Sequence, residues 1–346
     1  MYIDILKPEQ FGRVKPLMDY AFAEPQFFEK FLNTMTQPSD WLGVFSDNNR
    51  LQGVLCAKPY ILSLHGASVN TCYIINVAIA PEARGRGYFK PLMREILTRS
   101  AEKYPLVLLK AIESSLYTPF GFAFSHNHLR YQLPIHELNH FKIDAELDLQ
   151  YSADPLQQLS ELADIYRQAL CKHNAFIMRS ATDWRQLLTV NALENVRTVL
   201  AYKAGRPCGY MLYGIANNTL TITEMLYTEP TVKRSFLAYA AKHGTQAKQI
   251  FWRTFAEDLT YTELNITQYA DTLYPQLSPF MMSRIVNVQE ALSHLARQRE
   301  FNGTMLLRVC DPLLPNNNGV FSITEQGCNS AQGQPLLTVS IEVLTQ

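Results

Sequence analysis

The order of the predicted elements along the first 280 residues occurs twice. Each round has a short strand, two amphipathic helices, three strands with alternating apolar and polar residues, a helix and a final strand. A period of two is typical of strands that bury one face, and a spacing of three to four residues is typical of helices packed on a core. A chain that repeats this order is limited to two tandem α/β domains, with the boundary predicted between Pro134 and Ala145. In the second round, hairpin turns are predicted at Ala204–Gly205 and Asn217–Asn218.

The pattern changes after about Pro279. The stretch "MMSRIVNVQEALSHLARQ" predicts one helix, and strands divided by Asn, Gly and Pro turns are predicted after it, the last of them "PLLTVSIEVLTQ". This segment predicts a small third domain of mixed α and β structure. The predicted domains are residues 1–140, 141–280 and 281–346.

The composition limits the classes of function. Charged residues make up 18% of the chain and apolar residues 47%, as in soluble globular proteins, and the formal net charge is zero. A general nucleic-acid binder needs a basic surface that displaces counterions, so nucleic acid is not an expected partner. The N-terminus lacks the apolar core of a signal peptide, no apolar run approaches the length of a membrane span, and the six cysteines have no C-x-x-C spacing. We therefore expect a cytoplasmic protein with reduced thiols and no membrane partner.

One strand-to-helix turn, in the stretch "VAIAPEARGRGYFKPLM", has the composition of an anion site. Gly85 and Gly87 remove side chains where the backbone enters a helix, whose first N–H groups are unpaired and carry partial positive charge. Successive bare N–H groups form an anion-binding nest, and Arg84 and Arg86 add full charges beside it. The spacing matches neither Walker A nor G-x-G-x-x-G, and Gly-x-Gly also occurs in many purely structural turns. Phosphate binding and a structural turn therefore both remain open on this motif alone.

A second element lies downstream in "ESSLYTPFGFAF". Phe120 and Phe122 are predicted core residues. Tyr117 differs from them, because it sits in a short helical turn where two central strands are expected to separate. A core aromatic cluster is the alternative interpretation of all three residues.

Together, V-A-I-x-P-E-x-R-G-x-G and Y-x-x-F-G-F resemble the motifs of the GCN5-related N-acetyltransferases, the GNAT superfamily. The whole-chain layout is similar to the enhanced intracellular survival (Eis) family, whose members carry two tandem GNAT domains and a sterol-carrier-like domain. The resemblance covers essentially the whole chain. It is strongest at residues 75–93, 111–124 and 281–323.

The resemblance implies that acetyl-CoA is the co-substrate and that the first domain binds it between two strands. It also implies that no metal takes part. The matching strand would pair with the pantetheine arm, the turn would hold the pyrophosphate, and a further pair would contact the cofactor. Glu82 stands where the superfamily often has Gln or Arg, a minor departure. The matching residues are Val77, Ala78 and Ile79 in the strand, Gly85, Arg86, Gly87, Tyr88, Phe89 and Lys90 in the turn, and Ile112 and Glu113 in the pair.

The resemblance also assigns catalytic roles. Tyr117 matches the general acid, and a phenol with a pKa of about 10 is suited to protonate a thiolate whose thiol has a pKa of about 8.5. In the family the base is the carboxylate of the C-terminus, so Gln346 is the candidate base here. Relatives continue beyond the segment that matches "TVSIEVLTQ", so a truncated C-terminus is expected, and water or a local carboxylate are the alternative bases. Glu24 matches an acidic residue of the substrate pocket, with a solvated loop glutamate as its alternative interpretation.

The second domain departs from the motif. Val232, Lys233, Arg234 and Ser235 stand where the turn needs glycines, so this domain is predicted to bind no CoA. The stretch "HELNH" matches H-E-x-x-H in letters, but it follows Pro134 in a short link rather than a long helix, so linker polarity is the favoured interpretation.

The function that follows is acetyl-CoA-dependent N-acetylation of primary amines, such as aminoglycoside-like or polyamine-like small molecules or lysine side chains. The family resemblance implies a homo-oligomer, a hexamer or a trimer. Two alternatives stay open: a degenerate CoA-binding protein without catalysis, and an aminoacyl transferase, for which the expected basic tRNA-facing patch is not evident.

Overall fold

The computed structural model describes residues 1–22, 31–264, 275–298 and 303–346. Within them the doubled order of elements is confirmed, with one short additional strand inserted in the second round. The strands are β1 (Tyr2–Ile5), β2 (Trp41–Phe45), β3 (Leu51–Leu64), β4 (Ala67–Ile79), β5 (Leu106–Leu109), β6 (Ala123–Pro134), β7 (Leu147–Ser152), β8 (Ala175–Ile177), β9 (Arg197–Lys203), β10 (Arg206–Ala216), β11 (Thr219–Tyr227), β12 (Gln249–Phe255), β13 (Gln276–Ile285), β14 (Met305–Cys310), β15 (Gly319–Thr324), β16 (Gly327–Ala331) and β17 (Leu337–Ser340). The labelled helices are α1 (Pro8–Phe11), α2 (Val14–Phe22), α3 (Phe89–Ala101), α4 (Leu159–Leu170), α5 (Ala181–Leu193), α6 (Pro230–Ala241), α7 (Val288–Gln298) and α8 (Ile341–Thr345).

The chain divides into two compact units. The predicted sequence domains at 1–140, 141–280 and 281–346 stay a prediction, whereas this division follows packing. Unit 1 consists of Met1–His126, His173–Met178 and Phe280–Gln346, and unit 2 consists of Asn127–Lys172 and Arg179–Pro279.

The sheet of unit 1 runs in the order β1-β2-β3-β4-β5-β13. All neighbours are antiparallel except β4 and β5, which are parallel and joined by the crossover through α3. The short strand β8 adds to the far end of β3. Helix α3 places apolar residues at helical spacing against this sheet, where they form a core with Cys72 and Ile74 of β4. The buried α3 residues of that core are Leu92, Met93, Ile96 and Leu97.

The prediction of a single helix after residue 280 is wrong for the first part of that stretch. Residues Gln276–Ile285 form strand β13, and helix α7 begins only at Val288. Met282 pairs with Leu109 in the antiparallel ladder to β5. A short apolar run does not distinguish a buried strand from a helix by periodicity, so the free edge of β5 decides the outcome.

The rest of the third segment forms a four-stranded sheet in the order β16-β15-β14-β17, with α7 packed on it. The final predicted strand, "PLLTVSIEVLTQ", is also corrected. Only Leu337–Ser340 is strand, and the chain then enters α8, whose N-terminus is capped by the Ser340 hydroxyl, which accepts from the N–H of Val343 at 3.5 Å. The likeness of this segment to sterol-carrier folds stays a prediction.

The sheet of unit 2 runs in the order β6-β12-β11-β10-β9-β7. Its one parallel pair is β11 and β12, again joined by a crossover helix, α6. The two predicted hairpin turns are confirmed: Ala204, Gly205, Asn217 and Asn218 all have positive φ, between 48° and 75°. No helix in the described part of either unit is long and apolar enough to cross a membrane.

Candidate active site

The central strands of unit 1 separate at one end. β4 and β5 pair from Thr71 with Leu106 to Ile74 with Leu109, where β5 ends. β4 continues to Ile79, and on its other side it still pairs with β3. The edge of Val77, Ala78 and Ile79 that faces away from β3 therefore has no strand beside it in the described chain. This opening lies where the sequence predicted that the thioester arm of the co-substrate binds.

A β-bulge accompanies this opening. The residues 76 and 77 of β4 together oppose the single residue Leu55 of β3, because the ladder shifts between Val54 with Ala78 and Cys56 with Ile75. Asn76 adopts the left-handed conformation with φ 54°, which asparagine tolerates better than most residues. A bulge bends its strand and increases the local twist, and this one lies just beyond the last pair of β4 with β5, Ile74 with Leu109. The sequence analysis did not identify Asn76, whose only signal is an asparagine inside an apolar strand.

The predicted anion turn is open on its outer side. Gly85 has φ 72° and Gly87 has φ 81°, the left-handed region that favours glycine. A Cβ atom at either position would have no heavy atom within 4 Å, so nothing in the described chain covers the backbone there. The turn is closed by N–H groups of Ala83, Arg84 and Arg86, and the described main-chain hydrogen bonds use neither glycine N–H.

Charge around the turn is positive. Helix α3 begins at Phe89 without an acidic residue in its first turn, so nothing there offsets the partial positive charge of its N-terminus. Arg86 and Lys90 are exposed beside the turn. Arg84 is directed back toward the protein: its Nε donates to the Ile79 carbonyl at 3.3 Å, and its guanidinium lies 5.6 Å from the centre of the Tyr20 ring.

Tyr117 lies between two short 3-10 turns, Ser114–Leu116 and Thr118–Phe120. Its half-buried ring packs edge-on against Phe89, at 6.0 Å between ring centres, and against Phe122, at 6.1 Å. Burial raises the pKa of the phenol above its ordinary value. The hydroxyl makes no hydrogen bond within the described chain, so a bound molecule would meet a free donor. Phe120 and Phe122 are buried, as predicted.

The other predicted site residues are placed less tightly. Ile112 is 88% exposed, and the carboxylate of Glu113 accepts the N–H of Ser115 at 3.3 Å, in the segment between β5 and Tyr117. Gln346 is exposed after α8, and the described residues show no contact between it and Tyr117. Glu24 lies outside the described residues.

The equivalent turn in unit 2 has no such opening. Helix α6 starts directly at Pro230, behind Glu229 as its N-cap, and Val232 is fully buried. The ammonium of Lys233 donates to Thr260 at 2.9 Å and to Asp258 at 3.4 Å. Val232 and Lys233 therefore carry side chains packed inside the unit, whereas the glycines of the unit 1 turn carry none.

The H-E-x-x-H stretch does not form the helix of a metalloprotease. Residues Ile135–Leu138 make one 3-10 turn, and the two ring nitrogens of His140 each lie 2.8 Å from a main-chain carbonyl oxygen, of Glu137 and of Glu263. Both of these nitrogens are therefore engaged with the backbone, in agreement with the interpretation of this stretch as a linker.

The comparisons with known proteins agree with this geometry. Residues 3–125 match a family model described as an acetyltransferase (GNAT) domain, and residues 175–285 match a second model with the same description. GNAT domains use acetyl-CoA as the co-substrate. No curated protein sequence matches the chain.

Three solved structures share the fold over the whole chain. A protein of Enterococcus faecalis V583, described as a probable N-acyltransferase, has a TM-score of 0.83 and 23% sequence identity. The match covers 100% of this chain and 88% of the Enterococcus protein. A GCN5-related N-acetyltransferase from Anabaena variabilis has a TM-score of 0.80 at 20% identity, and the match covers 99% of this chain and 88% of the Anabaena protein. Eis1 from Mycobacterium abscessus has a TM-score of 0.75 at 18% identity, and the match covers 100% of this chain and 88% of Eis1. With two matches to GNAT domains that together take in most of the chain, the protein belongs to the GNAT superfamily and is an N-acetyltransferase that carries two such domains in tandem.

Proposed function

We propose that unit 1 alone carries the transferase site and that it acetylates a primary amine by direct attack on acetyl-CoA. The observation that supports this most strongly is the open turn with two left-handed glycines, Gly85 and Gly87, at the start of the helix whose first residue, Phe89, packs on Tyr117. The turn would hold the pyrophosphate through its N–H groups, with Arg86 and Lys90 adding positive charge.

The proposed reaction needs no covalent enzyme intermediate. The neutral amine attacks the thioester carbonyl carbon, a C–N bond forms, and the C–S bond breaks as the electron pair goes to sulfur. The nitrogen loses a proton to a base, the thiolate takes a proton from the Tyr117 hydroxyl, and the phenolate recovers a proton from solvent, to which the base returns the proton it took. Since burial keeps the phenol protonated, it is available as this donor.

Main-chain groups of β4 would stabilise the charge on the carbonyl oxygen. The unpaired edge of Val77, Ala78 and Ile79 provides backbone donors that need no reorganisation during the reaction. Holding both reactants in the opening would supply the remaining rate through orientation. Ile112 and Glu113, in the segment that follows β5, are proposed to contact the cofactor at the same opening.

The acceptor is proposed to be a primary amine of a small cationic molecule or of a lysine side chain, a class taken from the family resemblance. Glu24 as an acceptor contact and the Gln346 carboxylate as the base are part of the same proposal. A hexameric assembly likewise remains a prediction from that resemblance. Unit 2 is proposed as scaffold without a CoA site, supported by the filled turn at Val232 and Lys233.

The test combines calorimetric titration of CoA with a panel of amine acceptors. Wild-type protein is expected to bind CoA and to release free thiol from acetyl-CoA when an amine is present. The Tyr117→Phe variant should bind CoA equally well but lose ~100-fold or more in kcat, the usual contribution of a general acid.

The matched control is Tyr104→Phe. Tyr104 is also a partly buried phenol of unit 1 with a raised pKa, but it lies just beyond the opposite end of α3 from the glycine turn. Its removal should leave kcat unchanged. CoA binding without turnover of any amine would favour the degenerate alternative, and absence of CoA binding would overturn the proposal.

A further inference from the structure

The turn that carries Tyr117 is held by a residue from a distant part of the chain. Nε of Arg284, in β13, donates to the carbonyl oxygen of Phe120 at 2.8 Å, across 164 positions of sequence. The Arg284 side chain is completely buried. A buried guanidinium is costly unless each of its donors has a partner, so this arrangement needs a reason.

Asp311 is that partner. Both of its carboxylate oxygens accept from Nη2 of Arg284 at 2.8 Å. The carboxylate also accepts from the side-chain amide of Asn317 at 2.8 Å and from the N–H of Leu313 at 3.0 Å. With Nη1 of Arg284 donating to the Ile285 carbonyl, each nitrogen of the guanidinium and each oxygen of the carboxylate has a hydrogen-bond partner inside the protein, which is the condition under which a buried ion pair fixes a geometry.

The backbone of the Tyr117 turn fits closely against this guanidinium. Gly121 has φ 82°, and a Cβ atom there would lie 2.6 Å from Nε of Arg284 and 2.9 Å from Cγ2 of Ile341. Glycine is therefore required both by the left-handed conformation and by the close approach of Arg284.

Further contacts link Phe120, which Arg284 holds, to Tyr117. The N–H of Phe120 donates to the carbonyl of Tyr117 at 2.9 Å, so the peptide group on each side of Phe120 is fixed. The Phe120 ring packs edge-on against Phe89 at 5.7 Å, and Phe89 also packs on Tyr117. Moving the Phe120 carbonyl would therefore move both the backbone and one packing neighbour of Tyr117.

We propose that Arg284, clamped by Asp311, is a positioning residue that sets the Tyr117 hydroxyl for proton transfer to the leaving thiolate. The inference rests on the proposed role of Tyr117. Lysine does not replace this function, because the three directions to Phe120, Ile285 and Asp311 need the planar fork of a guanidinium. Arg284→Lys keeps the positive charge but loses the planar guanidinium, so it separates the effect of the hydrogen-bond geometry from the effect of the charge.

A double-mutant cycle tests the proposal. Arg284→Lys is expected to lower kcat ~10-fold or more while KM for acetyl-CoA stays within about twofold, because misplacing a catalytic group costs rate rather than cofactor affinity. In the Tyr117→Phe background the same substitution should change kcat by less than about twofold, since the group it positions is absent. A full ~10-fold loss in that background, or a change confined to KM, would overturn the inference.

A partly buried arginine of unit 2 provides the control. Arg179 of unit 2 makes a bidentate pair with Glu224 at 2.7 and 2.5 Å. Arg179→Lys disturbs the same chemistry in the other unit, so any loss of kcat should be equal in both Tyr117 backgrounds. If Arg284→Lys does not fold, Asp311→Asn keeps the shape of the clamp and should give a smaller loss with the same dependence on Tyr117.

The kinetics distinguish a wrong role for Tyr117 from a wrong role for Arg284. If Tyr117→Phe retains the kcat of the wild type, the proposed general acid is wrong, whatever Arg284 does. If Tyr117→Phe loses activity but the effects of the two substitutions multiply, only the positioning role of Arg284 is wrong.

Discussion

Phe89 and Tyr117 pack edge to face, with ring centres 6.0 Å apart and ring planes at 74°. Phe89 is the first residue of the helix that follows the glycine turn, and Tyr117 is the predicted acid. The proposed phosphate-binding turn and the proposed proton donor are thus joined through an aromatic contact. Edge-to-face pairs of this kind contribute about 0.5–1.5 kcal/mol beyond their buried area.

Phe89→Leu should therefore change both ends of the site. We expect KM for acetyl-CoA to rise and kcat to fall, each by a few-fold, measured by steady-state kinetics. Tyr239→Leu is the control, since Tyr239 has a similar edge contact with Tyr213, at 6.1 Å between ring centres and 75° between ring planes, in unit 2. A variant that changes neither parameter would show that this contact does not join the two ends.

The glycines of the turn should be required for cofactor affinity rather than for folding. In Gly85→Ala and Gly87→Ala the new methyl group has no protein atom within 4 Å, so the cost to stability is backbone strain of about 1–2 kcal/mol. The methyl group would also stand beside the N–H groups that are proposed to bind the pyrophosphate. We expect the Kd for CoA, measured by calorimetry, to rise ~10-fold or more, equal to about 1.4 kcal/mol.

Gly205→Ala supplies a matched strain control. Gly205 has φ 75°, close to the 72° of Gly85, and a Cβ atom there also meets nothing within 4 Å. This variant should lose similar stability and keep the wild-type Kd for CoA. Equal loss of affinity in all three variants would mean that the turn acts through stability alone.

Deprotonation of Tyr117 should cause no loss of kcat at any pH below 10. Burial raises the pKa of this phenol above its ordinary value of 10.0, so the proton is present at every lower pH and is lost only as the pH rises through the raised value. We expect kcat to rise as the acceptor amine deprotonates and to show no fall below pH 10. A fall with a midpoint near pH 8 or 9, at constant unfolding temperature, would contradict the assignment.

Thiol reactivity should divide the six cysteines into two groups. Cys171 and Cys310 are exposed, and the other four are buried. Burial raises the pKa of Cys72 to about 11, although a hydrogen bond to Ser100 opposes part of this shift. At pH 8 an aromatic disulfide reagent should titrate two thiols rapidly in the native protein and all six after denaturation. Cys171→Ser and Cys310→Ser should each remove one rapid thiol.

The local parts of the site could be predicted from the sequence. Gly85 and Gly87 indicate left-handed backbone, and both adopt it. Tyr117 stands out from Phe120 and Phe122 because it precedes a Phe-Gly-Phe turn, and its ring is the half-buried one of the three. These features depend on residues within a few positions of each other, where the backbone conformation follows from the side chains.

The long-range parts could not be predicted. β13 has the composition of a helix start, and it becomes a strand because β5 offers a free edge more than 150 residues earlier in the sequence. The role of Arg284 is hidden for the same reason, since its partners at Phe120 and Asp311 are far from it in sequence. The bulge at Asn76 depends on the register with β3, which alternation alone does not fix.

The position of β13 determines when each half of the protein is completed during synthesis. The strands named above for the unit 2 sheet have all been translated by Phe255, whereas β13, the last strand of the unit 1 sheet, ends at Ile285. Until then the nascent first unit exposes the edge of β5, and the Phe120 carbonyl lacks the guanidinium that it later binds. Open edges and long sequence separations slow folding and invite wrong strand pairing. Unit 1, whose first strands leave the ribosome before those of unit 2, therefore completes its sheet last, and the proposed transferase site is assembled only then.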